Sequence, residues 1–313
     1  MPAICRSDEM NDFMKSRSSV DRLNNNGYFF VAPFVIVMLI FSIYPVIRTI
    51  GLSFTGYKGY GAEEFTELDN YFRVFKDKLF WKAFGNTLKI WIPNIIVQMG
   101  FALALTLIFS DVKYKIKGLG IFRAVYYLPN LISVTSVSFL FKSLLDWKYG
   151  SVNQLLMTLK ITDEQINWLG QPETAQMAVS LIGAWMWYGS TFIMLMAGVQ
   201  GISKDYFEAA VVDGAGRWTI FRKITLPLLK PVMLYVIVTS LIGGLQIFEL
   251  PYLISGTKGD PQRSLTTAVS YIYNTAFTNH QFGYASAMAF VLFVIIAAAS
   301  MAAFRIMNSK DNK

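Results

Sequence analysis

Reactive side chains are scarce in this sequence, and that scarcity sets the first limit on its chemistry. Cys5 and His280 are the only cysteine and histidine among 313 residues, so no internal disulfide and no Cys/His metal cluster can form. His280 lies in a polar stretch between Phe277 and Tyr284, where a solvated loop histidine is the simpler reading. No Gly-rich loop ending in Gly-Lys-Ser/Thr occurs, so the chain carries no P-loop for a nucleotide phosphate. No catalytic residue and no metal ligand is assigned. What the residue types do offer is a docking surface. Residues 203–231, SKDYFEAAVVDGAGRWTIFRKITLPLLKP, read as two short helices joined by a glycine turn. Ser203 caps the first helix, Asp205 suits its positive end, and Gly214 to Gly216 supply the left-handed stop. The second helix is expected over Arg217–Ile224, ending before Pro227. Ala209 and Ala210 leave a low, flat face against which a large rigid partner can sit closely.

The elements that position this loop are membrane spans. Hydrophobic residues make up 54% of the chain and charged residues only 15%, with 25 Phe, 16 Tyr, 7 Trp and 22 Gly. This composition is too apolar for an ordinary soluble domain, and it suits aromatic interface anchors and close helix contact in lipid. A hydrocarbon core about 30 Å thick needs roughly 20 apolar residues. Six stretches qualify: Tyr28–Ile47, Ile90–Ser110, Ala124–Phe141, Gln176–Val199, Val232–Phe248 and Gln281–Phe304. Pro33, Pro45 and Pro93 fall in or beside spans and predict kinks. The expected fold class is all-α integral membrane. Its expected organisation is a tail (1–27), a first span (28–50), an outer loop (51–83), a five-span core (84–305) containing the loop 203–231, and a tail (306–313).

Six spans place both termini on one side. Taking that side as cytoplasmic puts 16 of the 28 Lys and Arg on inner segments and 11 on outer ones, with Lys89 the remainder, which satisfies the positive-inside rule. The loop from Arg48 to Lys82 holds six basic residues on the outer side, mixed with five acids. It reads as solvated and not as a nucleic-acid patch. The polar N-terminal tail precedes the first apolar run with no cleavable signal segment expected, and Cys5 is not expected to carry a lipid. Lys89 is expected to snorkel to the surface.

Within the spans, Gly183, Met186, Trp187 and Ser190 recur at helical spacing in the fourth, and Thr239, Gly243 and Gln246 do so in the fifth. Polar and aromatic groups on one face can line a solute path, but Gly, Ser and Thr at such spacing also serve close helix packing. Both readings stand at this point. Glu249, just past the fifth span, suits an outer vestibule or an interfacial charge.

The loop resembles the signature of permease subunits of binding-protein-dependent ABC importers: Glu-Ala-Ala, three residues, Gly, nine residues, Ile, one residue, Leu-Pro. Here the positions read Glu208-Ala209-Ala210, Gly214, Ile224 and Leu226-Pro227, with every spacing kept. The likeness runs along most of the chain and resembles the six-span maltose-type carbohydrate branch most, through ELDNYFRVF with FWKAFGNTL (67–88), FRAVYYLPNLIS (122–133), NWLG (167–170) and FGYASAMAFVLF (282–293). Where that branch has a Gly-Gly-Pro turn after the fifth span, this chain has ISGTKGDPQRS (254–264).

The resemblance implies a type I importer transmembrane domain in a bacterial-type cytoplasmic membrane, with Glu208, Ala209, Ala210, Asp213 and Gly214 coupling to an ATPase. It also implies two cytoplasmic ATPase subunits carrying ATP and Mg2+, a second permease subunit of similar fold, and an extracytoplasmic solute-binding protein. The implied solute is a sugar or oligosaccharide, moved by alternating access between the fourth- and fifth-span faces; no cofactor resides on this chain. Glycerol-phosphate or another polar solute is the alternative within the class. An ion-coupled transporter would carry intramembrane acids, and a membrane enzyme would need converging acids or nucleophiles; the six stretches contain no acidic residue.

Overall fold

A computed structural model describes residues 28–110 and 118–308. The expected tail 1–27, the basic cluster Lys113, Lys115 and Lys117, and residues 309–313 lie outside the described residues.

Helix α1 (Tyr28–Ser53) is long and apolar enough to span and is exposed along almost its whole length. Such a surface demands lipid or a partner around it. Its five-residue π turn, Leu39–Ile43, precedes Pro45. Two helices follow, α2 (Asp69–Lys76) and the N-capped α3 (Lys78–Phe109). The Asp77 carboxylate starts α3 by accepting from the Leu79 and Phe80 amides at 2.8 and 3.2 Å. α3 thus begins twelve residues before the expected span. Its first three turns carry Lys78, Lys82 and Lys89 on the exposed side, while Phe80, Ala83, Asn86 and Thr87 are buried. Apolar-run counting reads the charges and overlooks the buried stripe between them. Pro93 sits inside α3 without ending it.

The expected third span is not one helix. It is α4 (Leu119–Leu131) and α5 (Val134–Leu144), bent by 86°. Ile132 is extended, and Ser133 caps α5 through the Ser136 amide at 3.2 Å. The Ser133 hydroxyl offers the backbone an alternative to continuing the helix, a signal that hydropathy does not register. A short α6 (Ser151–Thr158) leads to α7 (Pro172–Gln200).

After α7 come α8 (Lys204–Val212) and α9 (217–228), then α10 (Lys230–Leu245), α11 (Glu249–Ser255), α12 (Ala268–Tyr273) and α13 (Phe282–Asn308). Among the described residues five helices are long and apolar enough to cross a membrane, six counting the bent pair as one span. Only an isolated bridge, Thr55 to Phe65, represents β structure among the described residues.

The centre of the bundle is α3 against α7. Gln176 Nε2 donates to Asn86 at 3.1 Å, Ser180 Oγ to the Ile90 carbonyl at 2.7 Å, and Gln98 Nε2 to Thr191 Oγ1 at 2.6 Å. Because the partners keep a sequence separation of 90 to 93 residues, the two helices run parallel. Ile90, Val137, Val179, Ile182, Met186 and Leu250 close the core between α3, α5, α7 and α11. Gly189 lets α7 approach α4 so closely that a Cβ there would collide with the Tyr126 carbonyl, the use of small residues expected between helices in lipid.

At the end of the bundle that holds Asp77, the 254–264 segment is pinned in place. Asn86 Nδ2 donates to the Arg263 and Thr266 carbonyls at 2.8 and 3.1 Å, Gln176 Nε2 to the Ser264 carbonyl at 2.9 Å, and Lys82 Nζ to the Gln262 carbonyl at 3.2 Å. This segment departs from the resembled turn in sequence, and side chains of α3 and α7 hold its backbone in their own way.

Candidate functional site

The loop between α7 and α10 forms as two helices and a glycine turn. The Ser203 hydroxyl caps α8, accepting from the Asp205 amide at 3.4 Å and donating to the Asp205 carboxylate at 3.0 Å. α8 closes in a Schellman arrangement: the Ala215 amide donates to the Ala210 carbonyl at 2.9 Å and the Gly214 amide to the Val211 carbonyl at 3.1 Å. That closure requires a left-handed residue, and Gly214 sits at φ +74°. Gly216, at φ −74°, then opens α9.

Two expectations about this loop need correction. Ala209 and Ala210 do not share a face: Ala209 is exposed and Ala210 is buried beside Phe207, because successive helical residues point about 100° apart. The outward surface is made by Glu208, Ala209, Val212, Asp213 and Gly214, all exposed. The second helix also does not stop before Pro227. It runs through a π turn, Phe221–Thr225, into Leu226–Leu228. The wider turn relieves the clash of a proline ring with the carbonyl four residues back; the π turn ahead of Pro45 in α1 has the same placement.

Arg217 fixes the loop to the bundle. Its Nη2 donates to the Leu107 carbonyl at 2.7 Å and to the Ile108 carbonyl, and its Nε donates to Leu107 at 3.2 Å. Near it, Trp218 stacks on Phe221 with ring centroids 6.0 Å apart. With its amide oxygen turned inward, Gln200 at the end of α7 accepts from the Arg123 guanidinium of α4 at 2.7 and 3.1 Å.

Of the mid-helix candidates, five reach the surface of the chain and two do not. Trp187 is half exposed, Ser190 is half-buried with its hydroxyl on the Trp187 carbonyl at 2.9 Å, and Thr239, Gly243 and Gln246 are exposed. Gly183 and Met186 are buried: Gly183 lies under the Asn94 amide, and Met186 packs with the core residues. The four α7 positions fall within about 100° of arc, with buried Met186 at one edge and exposed Trp187 at the other; Ser190 lies in angle between Met186 and Gly183, two turns further along than Gly183, where the covering is thinner. Gln246 stands where helix α10 ends, in a three-residue break before α11. Gly244 beside it lies against the Trp91 indole, whose Nε1 donates to Ser240 at 3.3 Å.

Sequence reasoning passed over the polar stripe of α3. Asn86, Asn94 and Gln98 are buried, and their four- and eight-residue spacing along an apolar helix was a readable signal of one inward face. It also passed over Asp77, which accepts from the Tyr271 and Tyr284 hydroxyls at 2.9 and 2.7 Å. Burial opposes ionisation of Asp77, but those two hydroxyls and the Leu79 and Phe80 amides outweigh it and hold its pKa below the ordinary value. Tyr271 is pushed up to about 12, first by burial, then by its hydrogen bond to the Asp77 carboxylate and by that charge. Among the described residues no group of acids, His and Cys could hold a metal ion. His280 is exposed at φ +53°.

Residues 90–310 match the family described as binding-protein-dependent transport system inner membrane component. The chain is 35% identical over 292 residues to the lactose transport system permease protein of Rhizobium radiobacter, covering 92% of this chain and 96% of that one. It is 30% identical to the arabinooligosaccharides transport system permease protein of Bacillus subtilis, covering 90% and 88% of the two chains. A chain in the crystal structure of a bacterial alginate ABC transporter, in complex with an alginate pentasaccharide-bound periplasmic protein, superposes with a TM-score of 0.76. That chain is 26% identical, and the match covers 91% of this chain and 94% of it.

Proposed function

Because this chain belongs to the binding-protein-dependent transport system inner membrane component family, we propose that it is the permease subunit through which ATP hydrolysis on partner subunits drives uptake of a sugar or oligosaccharide. It is a transport subunit and not an enzyme. The observation that carries the coupling role is the shape of the 203–231 loop. A Schellman-closed helix presents Glu208, Ala209 and Gly214, fixed positions of the family signature, outward together with Asp213, and its inner side is packed.

In this reading two cytoplasmic ATPase subunits, which hold the ATP and Mg2+, receive the loop of this chain and that of a second permease. Closure of the ATPase pair moves the loops as rigid bodies, and the permeases rock between inward- and outward-open states. An extracytoplasmic binding protein delivers the solute, and the termini and the loop face the cytoplasm. The lactose and arabinooligosaccharide names of the relatives and the pentasaccharide bound to the periplasmic protein in complex with the similar transporter support a carbohydrate over glycerol-phosphate.

Trp187, Ser190, Thr239, Gly243 and Gln246 line the path, with the indole offered to a sugar ring face and the Gln246 amide to hydroxyls. The break after α10 suits such a site, since unwound backbone at membrane depth is tolerated where it lines a cavity. Gly183 and Met186 shape the wall from behind. The test is reconstitution with both ATPases, the second permease and the binding protein, followed by screening of saccharides and glycerol-phosphate for stimulated hydrolysis. A saccharide that stimulates hydrolysis supports the reading; stimulation by glycerol-phosphate alone replaces the solute, and ATP-independent uptake removes the mechanism.

A further inference from the structure

A loop that transmits force needs more than its own two stems, and this one has a third attachment. Arg217 opens α9 and reaches 110 residues back to the last turn of α3. There it donates twice to the Leu107 carbonyl and once to that of Ile108. Carbonyls in a final helical turn lack intrahelical donors and carry the negative end of the helix dipole, so a cationic donor belongs there. A planar guanidinium can serve two of them at once, which a lysine ammonium cannot do with the same geometry.

The helix so gripped has no direct chain connection to the loop, which is continuous with α7 on one side and α10 on the other. α3 is the helix whose buried Asn94 lies on Gly183 and whose Gln98 bonds to Thr191, the stretch of α7 that holds Trp187 and Ser190. Resting on the coupling role given above, we propose that Arg217 is a positioning residue that makes α3 travel with the coupling loop, so that loop displacement reaches the α3–α7 wall behind the solute path. Its guanidinium is aimed at the bundle, whereas the docking surface is formed by α8 and the glycine turn. The two functions of the loop, receiving the motor and gripping α3, therefore belong to different residues and can be separated by substitution.

The experiment uses the full complex in proteoliposomes, with Arg217→Ala and Arg217→Lys, and reads two quantities: ATPase subunit retained on purification, and solute moved per ATP hydrolysed. Arg217→Ala is expected to retain the ATPase and keep hydrolysing while solute per ATP falls roughly tenfold, the size of an ordinary coupling energy. Arg217→Lys is expected to fall between the two, keeping the charge without the fork. Where the alanine variant sheds the ATPase, the lysine variant decides by the same ratio. An unchanged ratio in a variant that keeps its ATPase overturns the proposal, and so does loss of the ATPase from both, which would assign Arg217 to docking or folding. Failure of the coupling reading itself looks different, since the unsubstituted chain would then retain no ATPase.

Discussion

Gly214 is the position at which geometry and proposed function can be separated most cleanly. It sits at φ +74°, and a Cβ built there meets nothing within 4 Å, so substitution brings backbone strain without a clash inside the chain. Placing an L-residue in the left-handed region costs about 1–2 kcal/mol. That strain is resolved either by enduring it or by giving up the Schellman bonds from Gly214 and Ala215. It corresponds to a roughly 5- to 30-fold loss in the population of the correctly closed turn. Gly214→Ala is therefore expected to weaken retention of the ATPase by about that factor. Gly214→Asp adds bulk and a third negative charge beside the exposed Glu208 and Asp213, and is expected to abolish solute uptake and uncouple or release the ATPase. Gly216 is the internal control: at φ −74° with open space around it, Gly216→Ala should change stability by less than about 0.5 kcal/mol. The assay is paired measurement of uptake, hydrolysis and ATPase copurification on the three variants. Normal uptake with full ATPase retention in Gly214→Asp would refute the reasoning.

Trp187→Ala and Gln246→Ala should leave the complex assembled while raising the half-saturating solute concentration for uptake about tenfold, the effect of losing roughly 1.4 kcal/mol of contact; unchanged uptake across saccharides would remove both from the path. The Asp77 knot predicts a pH dependence with two limbs. Asp77 has a depressed pKa, so its contribution to stability is complete above the ordinary carboxylate value of about 3.9 and is lost as pH falls through the lower folded value. Tyr271 is raised to about 12, so its contribution is complete below its ordinary value of about 10 and is lost as pH rises from there through the folded value. Thermal unfolding of the purified chain should show both limbs, with Asp77→Asn flattening the acid one and an unaltered acid limb in that variant counting against the knot.

The spans were readable because long apolar runs admit few alternatives, and the α8 turn was readable because Ser203, Asp205 and Gly214 each suit one capping position. What was missed has physical causes. The 86° bend in the third span turns on the Ser133 hydroxyl competing for backbone donors, which an average over apolar residues cannot register. The early start of α3 is hidden because Lys78, Lys82 and Lys89 face outward while Phe80, Ala83 and Asn86 face inward. That Gly183 and Met186 are buried while Trp187 is exposed and Ser190 half-buried depends on which neighbours cover α7 at each height, a tertiary fact. Arg217 gave no warning because its partners are backbone carbonyls, which carry no residue identity. Pro227 misled because a proline ends a regular α-helix but is accommodated after a π turn.

In the proposed mechanism, nucleotide-driven force enters this subunit at the outward face of α8. The most direct measurement places a single thiol there, Glu208→Cys in a chain with Cys5→Ser, in sealed vesicles of known orientation. The thiol is expected to be alkylated by an impermeant reagent only from the cytoplasmic side, to be protected when the ATPase subunit is bound, and to cross-link to that subunit with a yield that changes with ATP. Alkylation from the outer side, or a thiol equally reactive with and without the ATPase, would contradict it.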